Sequence, residues 1–137
     1  STPPPPQHEP RILSGYRCAP EVIGPPSLNI FKLRLPTDQL KLLDQLIAGC
    51  EAHAQKQPAG WRTDLYSLTQ QDIALMDVDG LTEMAMPIMQ YVSRCICEVF
   101  HADSVKVDRN QPHVLKYNRD HTGVELHHDR CDVTAIS

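Results

Sequence analysis

Glu125-Leu126-His127-His128-Asp129 is the stretch on which the reading of this chain turns. Read as a β-strand, it places His127 and Asp129 on one face, because strand side chains alternate with a period of two. Val124, Leu126 and His128 then point the other way, and His128 becomes a bystander on the outer face. The apolar side suits packing against helices; the polar side suits a cavity. An imidazole and a carboxylate spaced this way can take two adjacent positions on an octahedral metal. A polar inner and apolar outer face fits a small barrel with a metal site in its mouth.

The chain around this stretch supplies further strands. After Phe100 the hydrophobic period changes from 3.6 to 2. Val105 and Val107 alternate, and His113-Val114-Leu115-Lys116-Tyr117 reads as a strand. Asn118 to Gly123 is a turn-rich connection, Val124 to Asp129 is the next strand, and Asp132 to Ile136 begins another.

Upstream the pattern is helical. Leu28 to Leu35 alternates as a strand that Pro36 ends. Thr37 is suited to cap a helix over about 38 to 55, with Leu40, Leu43, Ile47, Cys50 and Ala54 as its apolar stripe, stopped before Pro58-Ala59-Gly60. Trp61 to Ser67 is a candidate short strand, and Thr69 a candidate cap for a helical turn through Met76. Gly80 opens a second long helix with Leu81, Met84, Ile88, Tyr91, Cys95 and Val99 on one side. Pro87 within it either kinks the helix or marks its first turn. Met84, Met86 and Met89 read as core filler. Helices first and strands after predict an α+β fold, with helices bracing one face of a sheet.

The 137 residues allow one domain. Eight of the twelve prolines fall in the first 26 positions, so residues 1–27 read as a Pro-rich extended tail and 28–137 as the folded part. Net charge is −4, with Lys and Arg scattered rather than striped, which argues against a nucleic-acid partner. No apolar run reaches the ~18 residues of a membrane span. The five cysteines lack disulfide-framework spacing, and Cys95 and Cys97 face different sides of a helix. Free buried thiols and a reducing intracellular compartment are therefore expected.

The stretch His113 to Asn118, the connection with Thr122-Gly123, and Leu126-His127-His128-Asp129-Arg130-Cys131-Asp132-Val133-Thr134 together resemble the Fe(II)- and 2-oxoglutarate-dependent dioxygenases, prolyl 4-hydroxylase-like branch. Tyr117, Gly123, His127, Asp129 and Thr134 fall at compatible spacings. The two helices and Gly60-Trp61 also look like the family, over about residues 28 to 137. The resemblance implies a double-stranded β-helix (jelly-roll, cupin-like) that is incomplete in this chain, whose domain spans its N-terminal part. It implies Fe(II) held by His127, Asp129 and a distal His. It also implies 2-oxoglutarate chelating the metal and paired with a basic residue, with Tyr117 as a cosubstrate contact and ascorbate as an auxiliary reductant.

In the family the distal His and the basic residue lie beyond the position of Ser137. The 137 residues alone are accordingly expected to bind iron weakly and to turn over poorly or not at all. The implied activity is hydroxylation of a protein side chain or a small molecule. The alternative is a non-catalytic assembly subunit, with a partner covering exposed strand edges.

Overall fold

The computed structural model describes residues 11–12, 18–63, 71–108, 112–120, 131 and 133–136. Five strands, two long helices and two short 3-10 turns follow one another among these residues. They are β1 (Arg11–Ile12), β2 (Glu21–Ile23), a turn at Pro26–Leu28, β3 (Ile30–Lys32), α1 (Thr37–Lys56), β4 (Gln71–Ala74), a turn at Leu75–Asp77, α2 (Leu81–Phe100) and β5 (His113–Lys116). The class is α+β, as expected, with two small antiparallel sheets ordered β1-β2-β3 and β4-β5.

α1 begins after Pro36, whose lack of an amide costs nothing at a helix start, and carries Asp38 in its first turn, where the helix dipole favours a negative charge. Thr37 is its first helical residue rather than its cap. The buried side is Gln39, Leu46, Cys50 and Ala54, with Leu43 packed against the core, so the expected stripe holds at Leu43, Cys50 and Ala54 and shifts by one residue at Leu40 and Ile47. Leu40 and Ile47 are about half exposed. Cys50 and Ala54 keep their places, and Leu46, one turn before Cys50, takes the position assigned to Ile47.

α2 starts after Gly80, which sits at φ 83°, a left-handed conformation that glycine adopts without a Cβ penalty. It continues through Pro87 to Phe100, so Pro87 lies within the helix rather than in its first turn. Leu81, Ala85, Ile88 and Cys95 are buried. Together with Leu46, Cys50, Ala54, Trp61, Ile73 and Leu75, all but Cys95 form the main core, and Met84 packs against it.

β4 replaces the helical turn expected after Thr69, which itself lies outside the described residues. Its four residues pair with β5, Gln71 opposite Lys116 and Ala74 opposite His113. Only then does the chain turn, at Leu75–Asp77. Of the candidate strand Trp61 to Ser67, Arg62 makes an isolated antiparallel bridge to Asp72; residues 64–67 lie outside the described set. Val133 to Ile136, the start of a further expected strand, has irregular backbone. Val105 and Val107 also lie outside regular structure.

β1 and β2 fall inside the segment read as a tail. The pairing of β2 with β3, Val22 opposite Phe31, therefore crosses the boundary drawn at 27/28. Cys18 and Pro20 are buried. The expectation of free thiols is corrected here: Cys18 and Cys95 form a disulfide, while Cys50, Cys97 and Cys131 are free. The thiol content thus no longer argues for a reducing compartment. Among the described residues, no helix is long and apolar enough to cross a membrane.

Candidate functional site

The β4–β5 ladder has two chemically different sides. Opposed residues of an antiparallel pair point the same way, and neighbours along a strand point opposite ways. Ile73 and Val114 face the helices: Ile73 belongs to the main core and Val114 packs against it. Lys116 shares that side, its Nζ donating to Glu51 Oε1 of α1 at 2.6 Å. Asp72, Ala74, His113 and Leu115 therefore occupy the side turned away from the helices. The same alternation carried one residue past β5 puts Tyr117 there too.

This outer-layer side holds a buried acid. Asp72 is 1% exposed, and its Oδ2 lies 3.1 Å from His113 Nδ1. The contact fixes the ring: a hydrogen on Nδ1 donated to the carboxylate sets both tautomer and orientation. Its backbone is anchored as well, since the amides of Asp72 and Arg62 each donate to the other's carbonyl, at 2.8 and 3.3 Å. Strand alternation over His113 to Tyr117 puts His113 and Tyr117 on one face, whereas nothing in the sequence singles out Asp72. The signal is weak, because an aspartate before Ile73 in an apparently helical stretch reads as solvated.

A second cluster secures β5 from the helix side. Glu51 receives Trp61 Nε1–H at 3.2 Å on its other oxygen, and Lys116 Nζ stands 5.3 Å from the Trp61 ring centroid. The Lys116 hydrogen bond first, and the Trp61 hydrogen bond second, hold the Glu51 carboxyl below its ordinary range. Gly60 at φ 69° makes the turn that delivers Trp61 into this position. Nearby, burial and then the Glu51 charge push the Cys50 thiol up to about 11, so Cys50 is an inert core residue.

His127 and Asp129, the metal ligands expected from the sequence, lie outside the described residues, as do His121, Gly123, Glu125 and His128. Tyr117 is described: it follows β5 directly and is 48% exposed. Beyond it the chain turns as expected, Asn118 Oδ1 accepting the Asp120 amide at 3.0 Å while Asn118 Nδ2 donates to Gln71 Oε1 at 2.9 Å. Thr134 Oγ1 lies 3.2 Å from Cys131 Sγ.

Among the described residues no three His, Cys, Asp or Glu side chains are grouped to hold a metal ion. His53 lies in the last turn of α1 and His101 caps the end of α2. A shallow cavity of about 300 Å³ lies near the end of α1, bordered by His53, Gly60, Ile73 and an Arg62–Asp77 ion pair at 3.8 Å. It is on the helix side of β4 and separate from Tyr117. Comparison with protein-family models, with curated proteins and with solved structures found no match.

Proposed function

We propose that this chain carries the His-x-Asp part of an Fe(II)- and 2-oxoglutarate-dependent oxygenase of the prolyl 4-hydroxylase-like type, acting as a hydroxylase. In this reading β4 and β5 belong to a double-stranded β-helix. His127 and Asp129 bind iron, Tyr117 contacts the cosubstrate, and a further histidine completes the facial set. The observation that carries the reading is the order Tyr117, Gly123, His127, Asp129, Thr134 downstream of a strand that ends at Lys116. Two features of the ladder support it. Its apolar side rests on two helices, and its other side, with Asp72, His113 and Tyr117, has the polar character a barrel interior needs.

Iron and 2-oxoglutarate supply, when bound, an oxygenation coupled to decarboxylation of the keto acid. The protein's task is to place groups. His127 and Asp129 offer one neutral nitrogen and one anionic oxygen from the same strand face. The Tyr117 hydroxyl offers a hydrogen bond to the cosubstrate. The Asp72–His113 pair keeps one wall of the site polar and fixed. The substrate is a protein side chain or a small molecule.

In a full-length parent chain that supplies the further histidine, anaerobic titration with ferrous iron and 2-oxoglutarate tests the reading through the visible charge-transfer absorption of the chelate. His127→Ala and Asp129→Ala should each abolish it, a larger loss than the ~10–100-fold that follows removal of a group hydrogen-bonded to a ligand. His128→Ala should keep it. Equal loss in all three variants would refute the strand phase on which the assignment rests.

A further inference from the structure

The β1-β2-β3 sheet stands apart from the core that the rest of the chain builds. Among the described residues, none from β2 or β3 enters the main buried cluster, and Ile23, Leu28 and Ile30 are exposed. What joins this sheet and its flanks to α2 is specific. Phe31 meets Phe100 edge-on, ring centroids 5.4 Å apart. The Tyr91 hydroxyl donates to the Arg34 carbonyl at 3.3 Å. The third link is covalent, between Cys18 at the entry to β2 and Cys95 on α2, 77 residues apart in sequence.

We propose that the Cys18–Cys95 disulfide is a reducible clasp that holds the N-terminal sheet on α2, and that a dithiol reductant releases the sheet while the helical core stays folded. An edge-on ring pair and a single main-chain hydrogen bond are weak ties for a three-stranded ribbon, and small sheets of this kind depend on packing or cross-links. Cys18 and Cys95 are both buried, 7% and 1% exposed, and both residues line a cavity of about 140 Å³ with Tyr91, Arg94 and Glu98, the side from which a reductant would meet Cys18, the more exposed of the two.

The exchange balances without the iron site. A thiolate of the dithiol attacks Cys18 Sγ, the S–S bond breaks, and Cys95 leaves as a thiolate that takes up a proton. The second thiol of the reductant then displaces Cys18, leaving two protein thiols and one reductant disulfide. Of the three free thiols, Cys131 is exposed and is the one open to exchange, whereas the two nearer the core are not placed to compete. Cys50 is buried with its thiol held protonated, and Cys97, two residues on from Cys95, points to another side of α2.

Hydrogen exchange on the full chain, with and without dithiothreitol, tests the clasp, alongside thiol counting after denaturation. Three thiols are expected in the oxidised protein and five after reduction. Reduction should remove the protection of the β2 and β3 amides, while α1 and β4 remain protected. Cys18→Ser should reproduce the loss without reductant and leave α1 protected. The proposal fails if five thiols react without reduction, or if β2 and β3 keep their protection once reduction is verified. It fails equally if α1 and β4 open together with the sheet, which would make the disulfide a staple of the whole fold. Cys95→Ser, which also alters the buried face of α2, is to be read beside Cys18→Ser for that reason.

Discussion

Asp72 is 1% exposed, and a carboxylate taken out of water needs compensation from close donors. His113 Nδ1 at 3.1 Å is one of them. Replacing His113 with Ala should therefore cost about 2–3 kcal/mol, the scale of a hydrogen bond to a charged group, read as a lower urea midpoint. Asp72→Asn, which keeps shape and removes charge, should cost less. Glu51 presents the opposite case, with its side chain 39% exposed. Its carboxyl lies below the ordinary value in the folded state, through Lys116 and then Trp61. A depressed acid stabilises the fold fully above its unfolded pKa and loses that contribution as pH falls through the folded value. Glu51→Gln should thus flatten the stability profile below about pH 4.5 and cost under about 1 kcal/mol at neutral pH, because solvent screens the pair. A profile unchanged by the substitution would show that the cluster adds nothing to stability.

Helices and strands differ in how far their causes lie along the chain. α1 and α2 were legible to within a residue or two because periodicity, Pro36, Pro58 and Gly80 are local signals. The exact buried line of α1 was not: whether Leu46 or Ile47 faces inward depends on where α2 crosses. That crossing is tight at Gly49, where an added Cβ would stand 2.7 Å from Leu81 Cδ2. Alanine normally gains about 1 kcal/mol over glycine inside a helix. Here Leu81 is buried and has little room to yield, so Gly49→Ala should be net destabilising by about 1 kcal/mol or more, measured by thermal or urea unfolding. A stabilised variant would show that the two helices slide apart without cost. β4 escaped the sequence reading because Gln71-Asp72-Ile73-Ala74 has no decisive strand composition. Its conformation comes from pairing with β5, some forty residues later. β5 itself, a short β-branched and apolar run in His113-Val114-Leu115-Lys116-Tyr117 that precedes the turn-rich Asn118 to Gly123, was legible.

At the scale of the whole molecule, the long-range disulfide was the feature least accessible to sequence. Five cysteines permit many pairings, and nothing local distinguishes Cys18–Cys95 from the rest. The candidate metal residues, by contrast, were found through a pattern confined to some twenty residues, and their chemistry follows from residue type and strand phase alone. The covalent link makes a prediction about the entire chain. In the chain-entropy account, tying residues 77 apart removes conformations from the unfolded ensemble worth about 4.5 kcal/mol at 25 °C. Part of this is returned in the reduced state, since a released sheet regains freedom in the native chain as well. Reduction should therefore lower the unfolding free energy by about 2–4 kcal/mol. The Cys18→Ser/Cys95→Ser double variant should show at least this loss, since it also places a hydroxyl in the buried face of α2, and no further response to dithiothreitol. Urea titrations of the two proteins, each with and without reductant, measure all four states of this cycle. A reduced protein within about 1 kcal/mol of the oxidised one would mean that the unfolded chain is already compact around these two cysteines, and that the link contributes through neither ensemble.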